Sequence, residues 1–151
     1  MLREELSTAL KTAMKARAER EVSTLRLILA ALKDRDIAAR GRGESEGIGE
    51  DEIRQMLQSM IKQRRESITL YEQGGRLELA EREGEEIQII ERFLPRQLGV
   101  AESETAIRAV IEELGAASIK DMGRTMAALR QRYLGQMDFA KAGAIVKRLL
   151  S

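Results

Sequence analysis

The chain has 151 residues, of which 34% are charged and 43% hydrophobic, and its formal net charge is +1. It contains no cysteine and no histidine, which excludes disulfides, thiol chemistry and the commonest general base and metal ligand. No apolar run approaches the roughly 20 residues that span a bilayer, and the first residues do not resemble a signal sequence. We therefore expect a cytoplasmic protein, without membrane contact, that forms one domain or two small ones.

Apolar residues recur at helical spacing through most of the chain, and no segment alternates as a β-strand does. The pattern predicts seven helices, at about residues 2–18, 20–39, 50–73, 76–93, 102–114, 118–133 and 139–150. The second helix has a wide apolar stripe, so we expect it to be well buried. The glycine-rich stretch Gly41–Gly49 predicts a mobile surface loop, because it lacks the preceding strand and the Gly-Lys-Ser/Thr of a phosphate-binding loop.

Oppositely charged clusters occupy the third and fourth helices. Lys62–Arg65 is basic, whereas the fourth helix carries several glutamates. One of these, Glu83, falls on the apolar side of its helix, where an acid needs a partner. If the two helices pair antiparallel across Gly74-Gly75, the clusters form an ion-pair network, which we favour over a nucleic-acid patch. Paired glutamates can also bind a hard cation, but acidic helix faces are common and we predict no metal site.

The only proline, Pro95, coincides with a change in charge. Residues 44–95 carry a net charge of −6, whereas residues 1–43 and 96–151 carry +4 and +3. A proline disfavours helical conformation at the residue before it, so it marks either a helix stop within one bundle or a domain boundary. We divide the chain there, into a helical domain at 1–95 and a second domain at 96–151. The predicted fold is all-α, with long helices followed by a compact three-helix bundle.

The C-terminal tail is the strongest candidate for a binding surface. Residues 118–151 carry a net charge of +5. We predict phosphate-backbone contacts, with little sequence reading, by five of the tail's cations: Lys120, Arg124, Arg130, Lys147 and Arg148. Ser118 and Asp121 form the pattern of a capping box that opens the sixth helix. Gly123, inside that helix, predicts close approach of a second helix in preference to a nucleic-acid backbone.

Catalytic groups are harder to find. Ser67 and Lys62 suggest a serine nucleophile with a lysine base, but a separation of five residues on a helix does not place them close together on one face. We predict no catalytic residue and no cofactor.

Several motifs together resemble the GatB/YqeY family, and the resemblance covers essentially the whole chain. They are Leu25-Arg26 with Ala30-Ala31-Leu32-Lys33, Lys62-Gln63-Arg64-Arg65-Glu66-Ser67-Ile68, Gly75-Arg76 with Leu79-Ala80 and Glu83, Glu86-Ile87, Phe93-Leu94-Pro95-Arg96-Gln97-Leu98, Lys120-Asp121-Met122-Gly123 with Met126, and Gly135 with Asp138 and Val146-Lys147. Phe139 departs from the pattern, because a smaller residue is expected after Asp138.

The resemblance implies longer N-terminal helices and a compact three-helix C-terminal part, similar to the tail of the B subunit of the tRNA-dependent amidotransferase. That enzyme forms the amide on misacylated tRNA with glutamine as nitrogen donor, and its tail is thought to hold the tRNA. Family naming thus associates this chain with carbon–nitrogen ligase activity, although its residues suggest no autonomous catalysis.

Three functions follow as hypotheses. The leading one is a stand-alone tRNA-binding accessory module with tRNA as its partner. The alternative is a protein-interaction module that docks an aminoacyl-tRNA synthetase, an amidotransferase subunit or another cytoplasmic protein. The third is an amidotransferase component that acts only with a partner.

Overall fold

A computed structural model describes residues 1–151 and contains helices but no strands, which confirms the all-α prediction. Seven α-helices and one 3-10 turn follow each other in the order α1 (Leu2–Ala16), α2 (Glu19–Gly41), α3 (Glu50–Gln73), α4 (Leu77–Glu91), α5 (Val100–Leu114), the turn Ile119–Asp121, α6 (Met122–Tyr133) and α7 (Phe139–Leu150). The chain divides into two compact units, Met1–Leu94 and Pro95–Ser151. None of the helices combines the length and the hydropathy required to span a bilayer.

The first unit consists of two helical hairpins around one aliphatic core. Arg17 adopts the left-handed conformation (φ 56°) in the tight turn that joins α1 to α2. Gly75 has a φ of 72° in the turn that joins α3 to α4, where a residue without a Cβ carries no steric penalty. The core is built from fully buried aliphatic side chains of all four helices, among them Leu6, Leu25, Ile28, Ile53, Leu57 and Ile90.

The segment between α2 and α3 is fixed at its C-terminal end. The backbone N–H of Ile48 donates to Asp36 Oδ1 at 2.9 Å, and its carbonyl accepts from Arg3 Nη2 at 2.7 Å. The Ile48 side chain belongs to the core and is only 4% exposed. The expectation of a surface loop throughout Gly41–Gly49 is therefore wrong for Ile48, because its side chain gains hydrophobic burial and its backbone gains two charged partners.

The predicted ion-pair network between α3 and α4 is confirmed. Arg64 Nε lies 2.8 Å from Glu86 Oε2 and 3.9 Å from Glu83 Oε2, and Arg65 pairs with Glu91 at 3.3 Å. Burial and the charge of Glu86 raise the pKa of Glu83, while Arg64 opposes both effects. Two of the glutamates considered as metal ligands, Glu83 and Glu86, are thus neighbours of Arg64, and no group of acidic side chains is arranged around a metal position.

Helix α2 is buried on one side only. Thr24, Leu25, Ile28 and Leu32 face the core, but Leu27 and Ile37 expose 50% and 55% of their surface. The expectation of a well-buried second helix is wrong on this outer side. The outer side mixes these apolar residues with exposed charges such as Arg26 and Lys33, so the apolar stripe extends further around α2 than the buried side does.

The second unit is a three-helix bundle in which side chains cap the 3-10 turn before α6 and the start of α7. Asp121 accepts from the N–H groups of Ala117 and Ser118 at 2.9 and 3.3 Å, as the predicted capping box requires. Asp138 accepts from the N–H groups of Ala140 and Lys141 at 2.9 and 3.3 Å, which confirms it as the N-cap of α7. The core contains buried side chains from all three helices: Ile107, Val110, Met126, Leu129, Ala142, Val146 and Leu150.

Candidate nucleic-acid interface

The cations of the C-terminal tail are all exposed, but they do not form one surface. Lys120 lies in the 3-10 turn, Arg124 and Arg130 lie on α6, and Lys147 and Arg148 lie on α7. Arg132 on α6 and Lys141 on α7 complete the set. Their ion-pair partners decide which of these charges remain available to a ligand.

Three of the arginines face carboxylates of their own unit. Arg132 forms a two-point ion pair with Glu113 of α5, at 2.6 and 2.8 Å. Arg148 Nη2 lies 3.1 Å from Glu104 Oε1, also on α5. Because α5 lies beside both arginines, these two charges point to the α5 side of the bundle. Ion pairs between exposed groups are weak, yet they lower the net charge that a phosphate meets.

Arg124 is the third paired arginine. Its Nε lies 3.1 Å from Asp121 Oδ1, one turn earlier in the chain. The N–H groups of Ala117 and Ser118 and the Arg124 guanidinium keep the pKa of Asp121 below its usual range. Asp121 therefore stays ionised at neutral pH, and its charge offsets that of Arg124. Of the five predicted phosphate contacts, Arg124 and Arg148 are thus already partnered.

Helices α6 and α7 run antiparallel beside each other. The Cα of Gly143 faces Met122 and Met126, because a Cβ added there would lie 3.9 and 3.8 Å from their terminal methyl carbons. At the other end of the pair, the guanidinium carbon of Arg130 lies 5.9 Å from the centre of the Phe139 ring. Phe139, where the family pattern suggests a smaller residue, is half-buried against the core and provides an aromatic face for Arg130.

We call the exposed surface along which α6 and α7 lie side by side the α6–α7 flank. Lys147 lies on this flank together with Arg130. It lies one turn after Gly143, on the side of α7 that faces α6. It also lies eight residues after Phe139, about 12 Å along the helix axis. Arg130 and Lys147 therefore mark the two ends of the α6–α7 flank, and neither forms an ion pair. Lys120 is likewise unpaired, in a 3-10 turn that contacts both α6 and α7.

Between these cations the flank is lined by small residues. Gly123 and Ala127 on α6 and Ala140 on α7 are exposed. An added Cβ at Gly123 would meet no atom within 4 Å, so the expected close helix contact at this glycine is wrong. Gly143 is the glycine that faces the neighbouring helix. The open surface at Gly123 leaves room for a ligand backbone to approach α6.

The flank presents positive charge to solvent, but it offers no group for covalent chemistry. Lys120, Arg130 and Lys147 are donors only, and no nucleophile or base accompanies them. The tail's charge count identified these cations in the sequence. The contacts of Arg148 with α5 and of Arg130 with Phe139 join residues up to 44 positions apart and leave no periodic signal in the sequence.

The first unit holds its own unpaired cations, and the second unit also holds a shallow groove of about 440 Å³. The groove lies along α5 and is lined mainly by small or apolar side chains: Leu98, Ala101, Glu102, Thr105, Ala106, Ala109 and Tyr133. It lacks the convergent polar groups of a small-molecule site. The α6–α7 flank therefore remains the stronger candidate interface.

Comparison with known proteins supports one family. Three curated relatives are called "Altered inheritance of mitochondria protein 41, mitochondrial". The relative from Lachancea thermotolerans is 35% identical over 109 residues, which cover 72% of this chain and 55% of the relative. The relatives from Eremothecium gossypii and Clavispora lusitaniae are 29% and 34% identical, over 69% and 66% of this chain and 55% and 54% of the relatives. The chain thus spans about half the length of the curated relatives it matches.

A family model extends the match to almost the full chain. The model of the Yqey-like protein family matches residues 3–150, so both units and every motif quoted above lie within it. The family match and the helical bundle agree with the resemblance found in the sequence motifs. The chain belongs to the Yqey-like protein family.

Proposed function

We propose that the second unit binds the phosphate backbone of tRNA and that the chain works as an accessory module of tRNA-dependent amide formation. The observation that carries the proposal is the α6–α7 flank. Its cations Arg130 and Lys147 are exposed and unpaired, while the surface between them is open at Gly123. Phosphate oxygens supply the negative charge that these side chains lack within the protein.

The flank favours backbone contact over base recognition. Its exposed residues between the cations are glycine and alanine, which offer no hydrogen bonds to base edges. The unit's aromatic side chains, Tyr133 and Phe139, are half-buried and pack against its core, so they do not form a free stacking platform. We therefore expect salt-sensitive binding with little preference for nucleotide sequence. Selectivity for tRNA would come from its shape.

The proposed link between this chain and the tRNA-dependent amidotransferase rests on the family resemblance. In this proposal the chain holds tRNA for an enzyme that uses glutamine as amide donor, and the ligase chemistry belongs to the partner, a synthetase or an amidotransferase subunit. The relatives carry a mitochondrial designation in their name, whereas we propose that this chain acts in the cytoplasm. Both compartments contain tRNA, so the binding proposal does not depend on the location.

Two lysines on α7 provide a matched test. Lys147 lies on the α6 side, whereas Lys141 lies about 120° away around the helix, in the row of Arg148 and α5. Both are exposed and unpaired. Lys147→Glu should weaken binding of bulk tRNA about tenfold, because an attraction becomes a repulsion. Lys141→Glu should change it by less than about twofold. Equal losses in both variants, with helicity unchanged, would exclude the α6–α7 flank as the binding surface.

A further inference from the structure

The outer side of α2 carries a straight row of exposed side chains that no part of the first unit covers. We call this row the α2 outer seam; it consists of Arg26, Ala30, Lys33, Ile37 and Arg40. The intervals alternate between four and three residues, which places all five on one strip of the helix. From the first residue to the last the seam is about 21 Å long.

The seam's cations form no ion pair within the first unit. Arg3, Arg20, Arg54, Arg64 and Arg92 each have a carboxylate partner. Arg26 and Lys33 have none, and Arg40 interacts only through the charge of Asp36, one turn earlier in α2. Other cations of the unit, such as Lys62 and Arg82, also form no ion pair, so the regular spacing is what distinguishes the seam. The seam's cations recur every seven residues, so each lies two turns, about 10 Å, from the next along the strip. The fold therefore leaves a regular row of three positive charges facing outwards.

Apolar side chains accompany these charges. Ile37 is 55% exposed, and Leu27, on the adjoining strip of the same outer side, is 50% exposed. Ala30 and Ala38 are exposed as well. Asp34, an exposed acid, lies in the middle of the outer side. An RNA backbone would gain nothing from Leu27 and Ile37, whereas the aliphatic side chains of a protein can cover them.

The geometry points to a protein helix as the occupant. We propose that the α2 outer seam docks an amphipathic helix of a second protein, with carboxylates every seven residues and aliphatic side chains between them. The alternating four-and-three spacing is the one that lets two helices pack side by side with a small crossing angle. A partner helix of about 15 residues matches the length of the seam. Its carboxylates would pair with Arg26, Lys33 and Arg40 while its aliphatic residues cover Ala30 and Ile37.

A synthetic helix makes this testable on the full chain. The probe is a fluorescent peptide of about 15 residues whose glutamates recur every seven positions with leucines between them. A second peptide carries lysine in place of each glutamate. The glutamate peptide should bind the protein, and the lysine peptide should not. In Arg26→Glu/Lys33→Glu the glutamate peptide should bind at least about tenfold more weakly, and the lysine peptide should now bind.

The control variant is Lys62→Glu/Arg82→Glu, which changes the same number of exposed, unpaired cations on α3 and α4. It should leave peptide binding within about twofold of the unaltered protein. Several outcomes would overturn the proposal: no binding of the glutamate peptide, equal loss in both double variants, or binding unaffected by the seam substitutions. Loss of tRNA affinity in the seam variant alone would instead assign the seam to RNA. A concentration-dependent dimer that only the seam variant disrupts would assign it to a second copy.

Discussion

Arg3 and Asp36 form a two-point ion pair that joins the start of α1 to the end of α2. Nη1 lies 2.6 Å from Oδ2, and Nη2 lies 2.7 Å from Oδ1. Asp36 is 7% exposed and also accepts the N–H of Ile48. The Arg3 guanidinium and that N–H lower the pKa of Asp36 to about 2, against the effect of burial.

This ion pair predicts an acid-dependent loss of stability. The folded pKa of Asp36 is about 2, below the roughly 3.9 of an unfolded chain. Its contribution is thus complete above about pH 4 and disappears as the pH falls towards 2, a change of about 2 kcal/mol. Urea unfolding at pH 7 should show Asp36→Asn less stable by about that amount, and the difference should vanish near pH 2. A difference that is constant with pH would contradict the assigned pairing.

Two glycines in the segment between α2 and α3 should respond differently to alanine. Gly47 has a φ of 84° and Gly43 a φ of 92°, so both alanine variants carry backbone strain. At Gly47 the new Cβ would also lie 2.8 Å from Asp36 Cγ, whereas at Gly43 it meets open space. Gly43→Ala should cost about 1 kcal/mol and Gly47→Ala at least about 1 kcal/mol more. Thermal unfolding compares them directly, and equal melting temperatures would show that the segment does not pack on Asp36.

Neighbouring arginines on α3 give a second matched pair. Arg64 and its partner Glu86 are 12% and 13% exposed, whereas Arg65 is 61% exposed. Removing one member of a nearly buried pair leaves a charge without a partner, so Arg64→Ala should cost about 2–3 kcal/mol. Arg65→Ala should cost less than about 1 kcal/mol, because water replaces its contact with Glu91. Denaturant midpoints that fall equally for both variants would argue against the buried network.

The contribution of Glu83 to stability should change with pH in the opposite direction to that of Asp36. Burial and the neighbouring Glu86 raise its pKa, so ionisation of Glu83 is less favourable in the folded chain than in the unfolded chain. Its unfavourable contribution is absent below the unfolded pKa and grows as the pH rises through the folded value. Glu83→Gln should therefore stabilise the protein at pH 7 and lose that advantage at pH 4. The measurement is the free energy of unfolding of both proteins at the two pH values. A variant that is less stable at pH 7 would show that the attraction of Arg64 for the Glu83 carboxylate outweighs the cost of its burial.

Helices and their caps follow from local sequence, and here they could be predicted. The predicted helix at residues 139–150 coincides with α7, and Asp138 caps it as expected. Predicted ends are less accurate: α1 stops at Ala16 instead of residue 18, because Arg17 adopts a left-handed conformation that few non-glycine residues favour. The pairing of the basic cluster at Lys62–Arg65 with glutamates of α4 could also be predicted, since Gly74-Gly75 implies an antiparallel hairpin, although the individual partners could not.

Contacts between distant segments could not be predicted. Asp36 and Arg3 are separated by 33 positions, and nothing in the spacing of either helix indicates their pairing. The same holds for Arg130 and Phe139, whose contact depends on how α6 and α7 pack. Gly123 and Gly143 illustrate the limit most clearly. Both are glycines within helices, but only the packing of α6 on α7 decides which one faces a neighbour.

The central claim is that the second unit contacts the phosphate backbone of tRNA. The most direct test titrates the purified chain with bulk tRNA at two salt concentrations, with duplex DNA of equal charge as the control. With Lys120, Arg130 and Lys147 each neutralising one phosphate, binding should favour tRNA and the logarithm of the association constant should fall by about two to three for each tenfold rise in salt. No binding at low salt, or affinity that does not depend on salt, would contradict the account.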